Sequence, residues 1–169
     1  MSIEPTYKLG SREQIEETMR LERDLSGADL SGLDLSGIKL TGLNMEGVNL
    51  SGAQLNEALI AAANMGGASL RGAQLTGAKI NAVNLENADL TKADLTGSKW
   101  FAVNVSGADF SDAKTTDARA TGVDWSKASV PPAEIPDPIP IPPWVPAVFA
   151  GVGLLLIVGI ILTRKRRQT

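Results

Sequence analysis

Residues 88–112 read ADLTK ADLTG SKWFA VNVSG ADFSD, five consecutive quintets with one apolar residue at the centre of each. Outward in both directions the same beat holds. Every fifth position from Leu30 to Phe110 is apolar, and two residues before each stands a small or aliphatic residue, most often alanine. This second series runs from Ala28 to Ala128 as 21 units without an insertion. A period of five is neither the 3.6 of a helix nor the 2 of a plain strand. Within a unit, though, the two inward positions are two apart, which is local strand spacing. A bend must then recur once per unit, after the central residue, where Ser31-Gly32, Ser36-Gly37, Thr41-Gly42, Ser51-Gly52 and Thr76-Gly77 fall. Such residues turn a chain at little steric cost. Four bends close a square, and successive coils stack at about 4.8 Å, the spacing of a parallel sheet.

The units Ala28-Asp29-Leu30-Ser31-Gly32, Ala88-Asp89-Leu90-Thr91-Lys92, Ala93-Asp94-Leu95-Thr96-Gly97 and Ala108-Asp109-Phe110-Ser111-Asp112 resemble the pentapeptide-repeat family, whose unit is A(D/N)LXX. The resemblance implies an all-β domain, a right-handed quadrilateral parallel β-helix with both apolar positions stacked inside. Self-similarity of this kind governs the architecture of the whole segment. Four units per coil make residues 20 apart neighbours, so Trp100 is expected between Ile80 and Ala120. Leu33, Ile38, Leu43 and Val48 put bulk where the unit has alanine, which predicts a wider first coil needing a cover.

The domain boundaries follow from these patterns: 1–22 a leader and capping helix, 23–130 the β-helix, 131–143 a Pro-rich stalk, 144–163 a transmembrane helix, 164–169 a basic tail. Ser11 and Gln14 fit a capping box, Ile15 and Met19 share a face, and Glu16 and Arg20 are spaced for an i,i+4 pair. Trp125 is placed to plug the last coil, and Pro131-Pro132 to end strand pairing. Seven of the 13 residues from 131 to 143 are proline, which predicts an extended spacer of about 40 Å.

Trp144 to Leu162 is uncharged, and 19 residues of helix span about 28 Å, close to a bilayer core. Trp144 suits one interface, and Arg164, Lys165, Arg166 and Arg167 suit the other. The chain is therefore expected to be a single-pass membrane protein in contact with the lipid bilayer. Ala147 and Gly151 would support homo-oligomers through the span. No apolar signal stretch precedes residue 25, which places the solenoid on the cytoplasmic side. The positive-inside rule applied to Arg164–Arg167 gives the alternative, an extracytoplasmic, surface-displayed domain.

The 169-residue chain has no cysteine and no histidine, which removes disulfides, thiol nucleophiles and imidazole bases. Carboxylates on flat, solvated walls lack the burial that tunes a catalytic acid. No catalytic residue, metal ligand or cofactor is assigned. Between Arg23 and Val130 stand 12 acidic and 9 basic residues. Duplex DNA carries a charge per about 1.7 Å, so a DNA-mimicking binder of type II topoisomerase, a role the resemblance raises, is disfavoured. Nucleic acid is disfavoured as a ligand by the acidic balance of residues 1–143. The expected role is a non-enzymatic scaffold at a membrane surface for a protein partner not specified by the sequence. Phe101 and Leu59, apolar at outward positions, are the candidate contacts.

Overall fold

The computed structural model describes residues 7–140. Its main unit runs through Ile139, and its regular part is a parallel β-solenoid whose rungs repeat every 20 residues. Four ladders define four walls. Asp24 bridges Asn44 and the ladder continues through Asn64 and Asn84 to Asn104. A second runs from Asp29 to Asp109, and a third from Asp34 through Gln54, Gln74 and Asp94 to Lys114. The fourth wall is a five-stranded parallel sheet of β3 (Lys39–Thr41), β4 (Leu59–Ala61), β5 (Lys79–Asn81), β6 (Lys99–Phe101) and β7 (Arg119–Thr121). Four turns of the coil separate its first strand from its last.

The bends lie where the sequence places them. The last residue of each unit takes a left-handed conformation, from Gly27 (φ 65) and Gly32 (φ 70) to Gly122 (φ 73). At three of the four corners an i→i+3 bond closes the turn, as from Ala28 N–H to the Leu25 carbonyl at 3.1 Å. The corners after β3–β7 lack that bond among the described residues, and there the strand runs one residue further. This is why one wall has three-residue strands and the other three have single bridges.

Both inward positions of nearly every unit are buried, Leu90 at 1% exposure and Ala93 at 0% among them. In register, Trp100 pairs with Ile80 on one side and Ala120 on the other, so the large ring meets a small neighbour. Ser98, where most units have alanine, is also fully buried. The core is closely filled. Beside Ile80, Leu90 and Trp100 remains a void of ≈ 10 Å³, at the lower limit of space for a water molecule.

The N-terminal cover is α1 (Arg12–Leu21), with Ser11 as N-cap. The Ser11 hydroxyl accepts from the Gln14 N–H at 3.3 Å. The Gln14 side-chain oxygen Oε1 reaches past Ser11 to accept from the Gly10 N–H, at 2.9 Å, so the capping box is displaced by one residue. Ile15 is fully buried and Met19 packs against the same core, covering the bulky first coil as expected. The expected Glu16–Arg20 pair is not formed. Arg20 meets Glu17 at 2.7 Å and Glu16 meets Arg12 at 2.8 Å. Arg12 is fixed on that side because its guanidinium also donates to the Ser36 carbonyl of the first coil, at 2.9 Å. Ahead of the helix, β1 (Tyr7–Lys8) pairs in parallel with β2 (Ala28–Asp29) and adds a rung to the second wall.

The far end departs from the expected plan twice. The quintet beat continues to residue 130 in sequence, but the 20-residue step ends at β7. A 3-10 helix, Trp125–Lys127, shifts the pairing to Asp109↔Val130, 21 residues apart. Its indole seats on the end of the core, with ring centroids 5.7 Å from Trp100 and 5.4 Å from Phe110. Beyond it, residues 131–139 are not the free spacer expected from their proline content. Pro132 and Pro136 are buried. The Ala120 N–H donates to the Asp137 carbonyl at 2.8 Å, and the buried Thr115 hydroxyl to the Glu134 carbonyl at 2.6 Å. Proline lacks only the donor. It can therefore close a solenoid end whose open groups include the N–H of Ala120 and the hydroxyl of Thr115. A stalk, if read from this segment, is left with residues 140–143.

The expected span 144–163 and the tail 164–169, with Trp144 and Arg164–Arg167, lie outside the described residues. Among those described, no helix is long and apolar enough to cross a membrane.

Candidate interaction face

The four walls differ in what they present. On the first three, the residue before each central apolar one is mostly Asp, Asn or Gln, and along the first wall these side chains form a ladder. The Asn49 amide donates to Asp29 at 3.0 Å, Asn84 to Asn64 at 3.0 Å, and Asn104 to Asn84 at 2.8 Å. The same oxygens accept the N–H two residues on, as Asp109 does from Ser111 at 2.8 Å. Asp29, Asp34 and Asp109 are thereby held below the usual carboxylate range, chiefly by the hydroxyls and N–H groups of Ser31, Ser36 and Ser111. A hydrogen bond to the charged form favours it. These carboxylates are turn-fastening groups, ionised at neutral pH.

The wall of β3–β7 breaks the pattern. Its column before the central residue reads Lys39, Leu59, Lys79, Lys99, Arg119 in register. Its column after the central residue reads Thr41, Ala61, Asn81, Phe101, Thr121. The four cations are exposed, and none makes an ion pair among the described residues. The two sequence-derived contact candidates therefore share one wall. Phe101 is 53% exposed. Leu59 is half-buried between Lys39 and Lys79. They stand in different columns two rungs apart and do not form one continuous apolar patch. The clustering of cations here is not apparent along the chain, where Lys39, Lys79, Lys99 and Arg119 are far apart. Its signal is Lys or Arg at 39, 79, 99 and 119, separated by 40, 20 and 20 residues, whole multiples of the coil length.

Surface depressions are shallow, such as one of ≈ 300 Å³ bordered by Asn104, Asp124 and Lys127. Among the described residues no three carboxylates converge to hold a metal ion. What the walls offer is flat, regularly spaced recognition chemistry.

The family description "Pentapeptide repeats (8 copies)" matches residues 24–60 and 61–97. Residues 24–97 are pentapeptide repeats. Among solved structures, a pentapeptide-repeat protein of the Arabidopsis thaliana thylakoid lumen superposes with a TM-score of 0.55 at 25% identity, over 72% of this chain and 77% of that one. HetL of Nostoc sp. strain PCC 7120, a pentapeptide-repeat protein involved in heterocyst differentiation regulation, gives a TM-score of 0.48 at 27% identity, over 66% of this chain and 55% of that one. QnrB1, a plasmid-mediated fluoroquinolone resistance protein, gives 0.36 at 19% identity, over 61% and 68%. No curated protein matches in sequence.

Proposed function

We propose that this pentapeptide-repeat protein is a non-enzymatic scaffold, held at a membrane by residues 144–163 and presenting the walls of its solenoid for interaction. The observation that carries the scaffold reading is the flatness of all four walls. Among the described residues, every carboxylate whose acidity is shifted fastens its own turn or ladder or, for Glu13, the N-terminus of the helix, and none is enclosed in a cleft. Catalysis requires an enclosed or strongly perturbed group. Support for the anchor comes from the sequence: 19 uncharged residues followed by four cations within 164–167, a pattern that matches a bilayer span with an interfacial end. Phe101 and Leu59 mark the contact wall.

A topoisomerase-binding DNA mimic is a weaker reading. A mimic needs one strongly acidic side, and the acids are distributed over three walls while the fourth is cationic.

An alkaline carbonate wash of membranes bearing the full chain tests the anchor. The full chain stays with the membrane, and a chain stopped after Pro140 is released. Release of both forms would refute membrane anchoring. Protease added to intact spheroplasts then reads the side: a protected solenoid faces the cytoplasm, and a digested one faces outward.

A further inference from the structure

We infer that the β3–β7 wall docks flat on an anionic phospholipid bilayer, with Lys39, Lys79, Lys99 and Arg119 against headgroup phosphates and Phe101 entering the interface. The inference rests on the membrane location proposed above and assigns that wall its ligand. Phe101 and Leu59, expected from the sequence to meet a protein partner, are thereby reassigned to lipid, and the three acid-bearing walls remain for protein.

Charge segregation is the first support. Of the nine basic residues between 23 and 130, four stand on this wall, while none of the twelve acidic ones does. The acids lie on the other three walls or at corners, where Glu57 and Asp117 border this wall, and Asp124 caps the 3-10 helix. A body of this kind orients in a negative surface potential, turning its cationic side to the membrane and its acidic sides away. The rungs are about 4.8 Å apart, so adjacent cations in the run Lys79, Lys99, Arg119 fall within one Debye length. An acid does appear at the end of the column, where Asp137 bridges Arg119. It lies at the rim, and its backbone closes the solenoid.

The second support is the exposed phenyl ring. An aromatic side chain flanked by lysines is the composition of membrane-surface elements, in which the ring enters the acyl boundary and the cations stay at the headgroups. An acidic protein partner would satisfy the lysines, but it would not by itself call for a lone ring with no continuous apolar patch around it.

The third is where the chain leaves the solenoid. The Ile139 N–H donates to the Thr121 hydroxyl at 3.3 Å, and Thr121 belongs to β7, the last strand of this same wall. From Ile139 to the start of the uncharged segment at Trp144 is five residue steps, at most about 18 Å of extended chain. Residues 131–139 are folded onto the solenoid, so they add nothing to that reach.

The absence of native cysteine allows a clean test. Full-length Phe101→Cys, and Arg71→Cys on the opposite wall, are labelled with an environment-sensitive fluorophore. They are mixed with vesicles of POPC alone or of POPC with 30% POPG. The label at 101 is expected to shift to the blue and to be quenched by brominated lipid on POPG vesicles only, and the shift is lost in 1 M salt. The label at 71 stays in water throughout. Lys79→Gln with Lys99→Gln, checked for a native circular-dichroism spectrum, should weaken the POPG-dependent response about tenfold or more. No response at 101, an equal response with and without POPG, or an equal response at 71 overturns the inference. So does photocrosslinking from position 101 in native membranes that captures protein instead of lipid. Flotation on pure POPC reports the anchor separately, because a chain without an anchor fails to float there while the POPG response at 101 still decides the wall.

Discussion

The indole N–H of Trp100 donates to the hydroxyl of Ser98, 2.8 Å away, inside a core where both residues are fully buried. The same hydroxyl donates to the Leu95 carbonyl at 2.6 Å. Ser98 stands where most units have alanine, and it is the polar partner that admits a tryptophan to the central position. In Ser98→Ala the residue becomes the more typical one for the family, yet the indole donor is orphaned. An unsatisfied buried donor costs about 1–3 kcal/mol, so the variant should be less stable by that amount in urea titration. A neutral or stabilising result would mean that the indole finds another partner.

Leu90 tests the interior register. It is 1% exposed, and Leu90→Ala should cost about 2–5 kcal/mol. Leu90→Asp places an unpaired carboxylate there and should abolish the native circular-dichroism spectrum. A native melting curve for the aspartate variant would show that the leucine column does not face inward.

The Pro-rich segment tests the C-terminal cover. A chain stopped after Val130 exposes the end of the solenoid around Thr115 and Ala120, and removes the partners that Glu134 and Asp137 provide. Unpaired rung ends invite edge-to-edge association. That chain should melt lower than one stopped after Pro140 and should elute as larger species in size exclusion. Equal stability and size would restore the spacer role for 131–139.

The turn carboxylates set an acid limit. Asp29, Asp34 and Asp109 have folded-state pKa values depressed by their serine partners, so their contribution is present above the ordinary aspartate value of about 3.9. It is lost as pH falls through the lower folded values. Urea midpoints should be flat from about pH 7 to 5 and decline below about 4. Asp109→Asn keeps an acceptor oxygen, as Asn104 does for Ser106 at 3.1 Å, and should reduce that decline. An unchanged acid profile would assign the pH dependence to other groups.

Much of the molecule was legible in linear form because a five-residue period has few physical solutions. The stacking of Trp100 on Ile80 and Ala120, the left-handed corners and the burial of Ile15 all follow from spacing and side-chain size. The misses share another cause. Glu16 turned to Arg12 instead of Arg20 because Arg12 is held by Ser36, 24 residues away in sequence. The prolines at 132 and 136 became buried because the last coil had open donors to fill. The cationic wall exists only because the coil sets residues 20 apart side by side.

By itself the sequence determined the coil: which two side chains of each quintet fill the interior, and where the backbone must bend, since both depend on local size and backbone freedom. Only the tertiary structure decided how the two ends are closed and which charges share a wall. Those depend on contacts between distant residues, where the open hydrogen-bonding groups of a terminal rung outweigh what a proline-rich composition alone would favour.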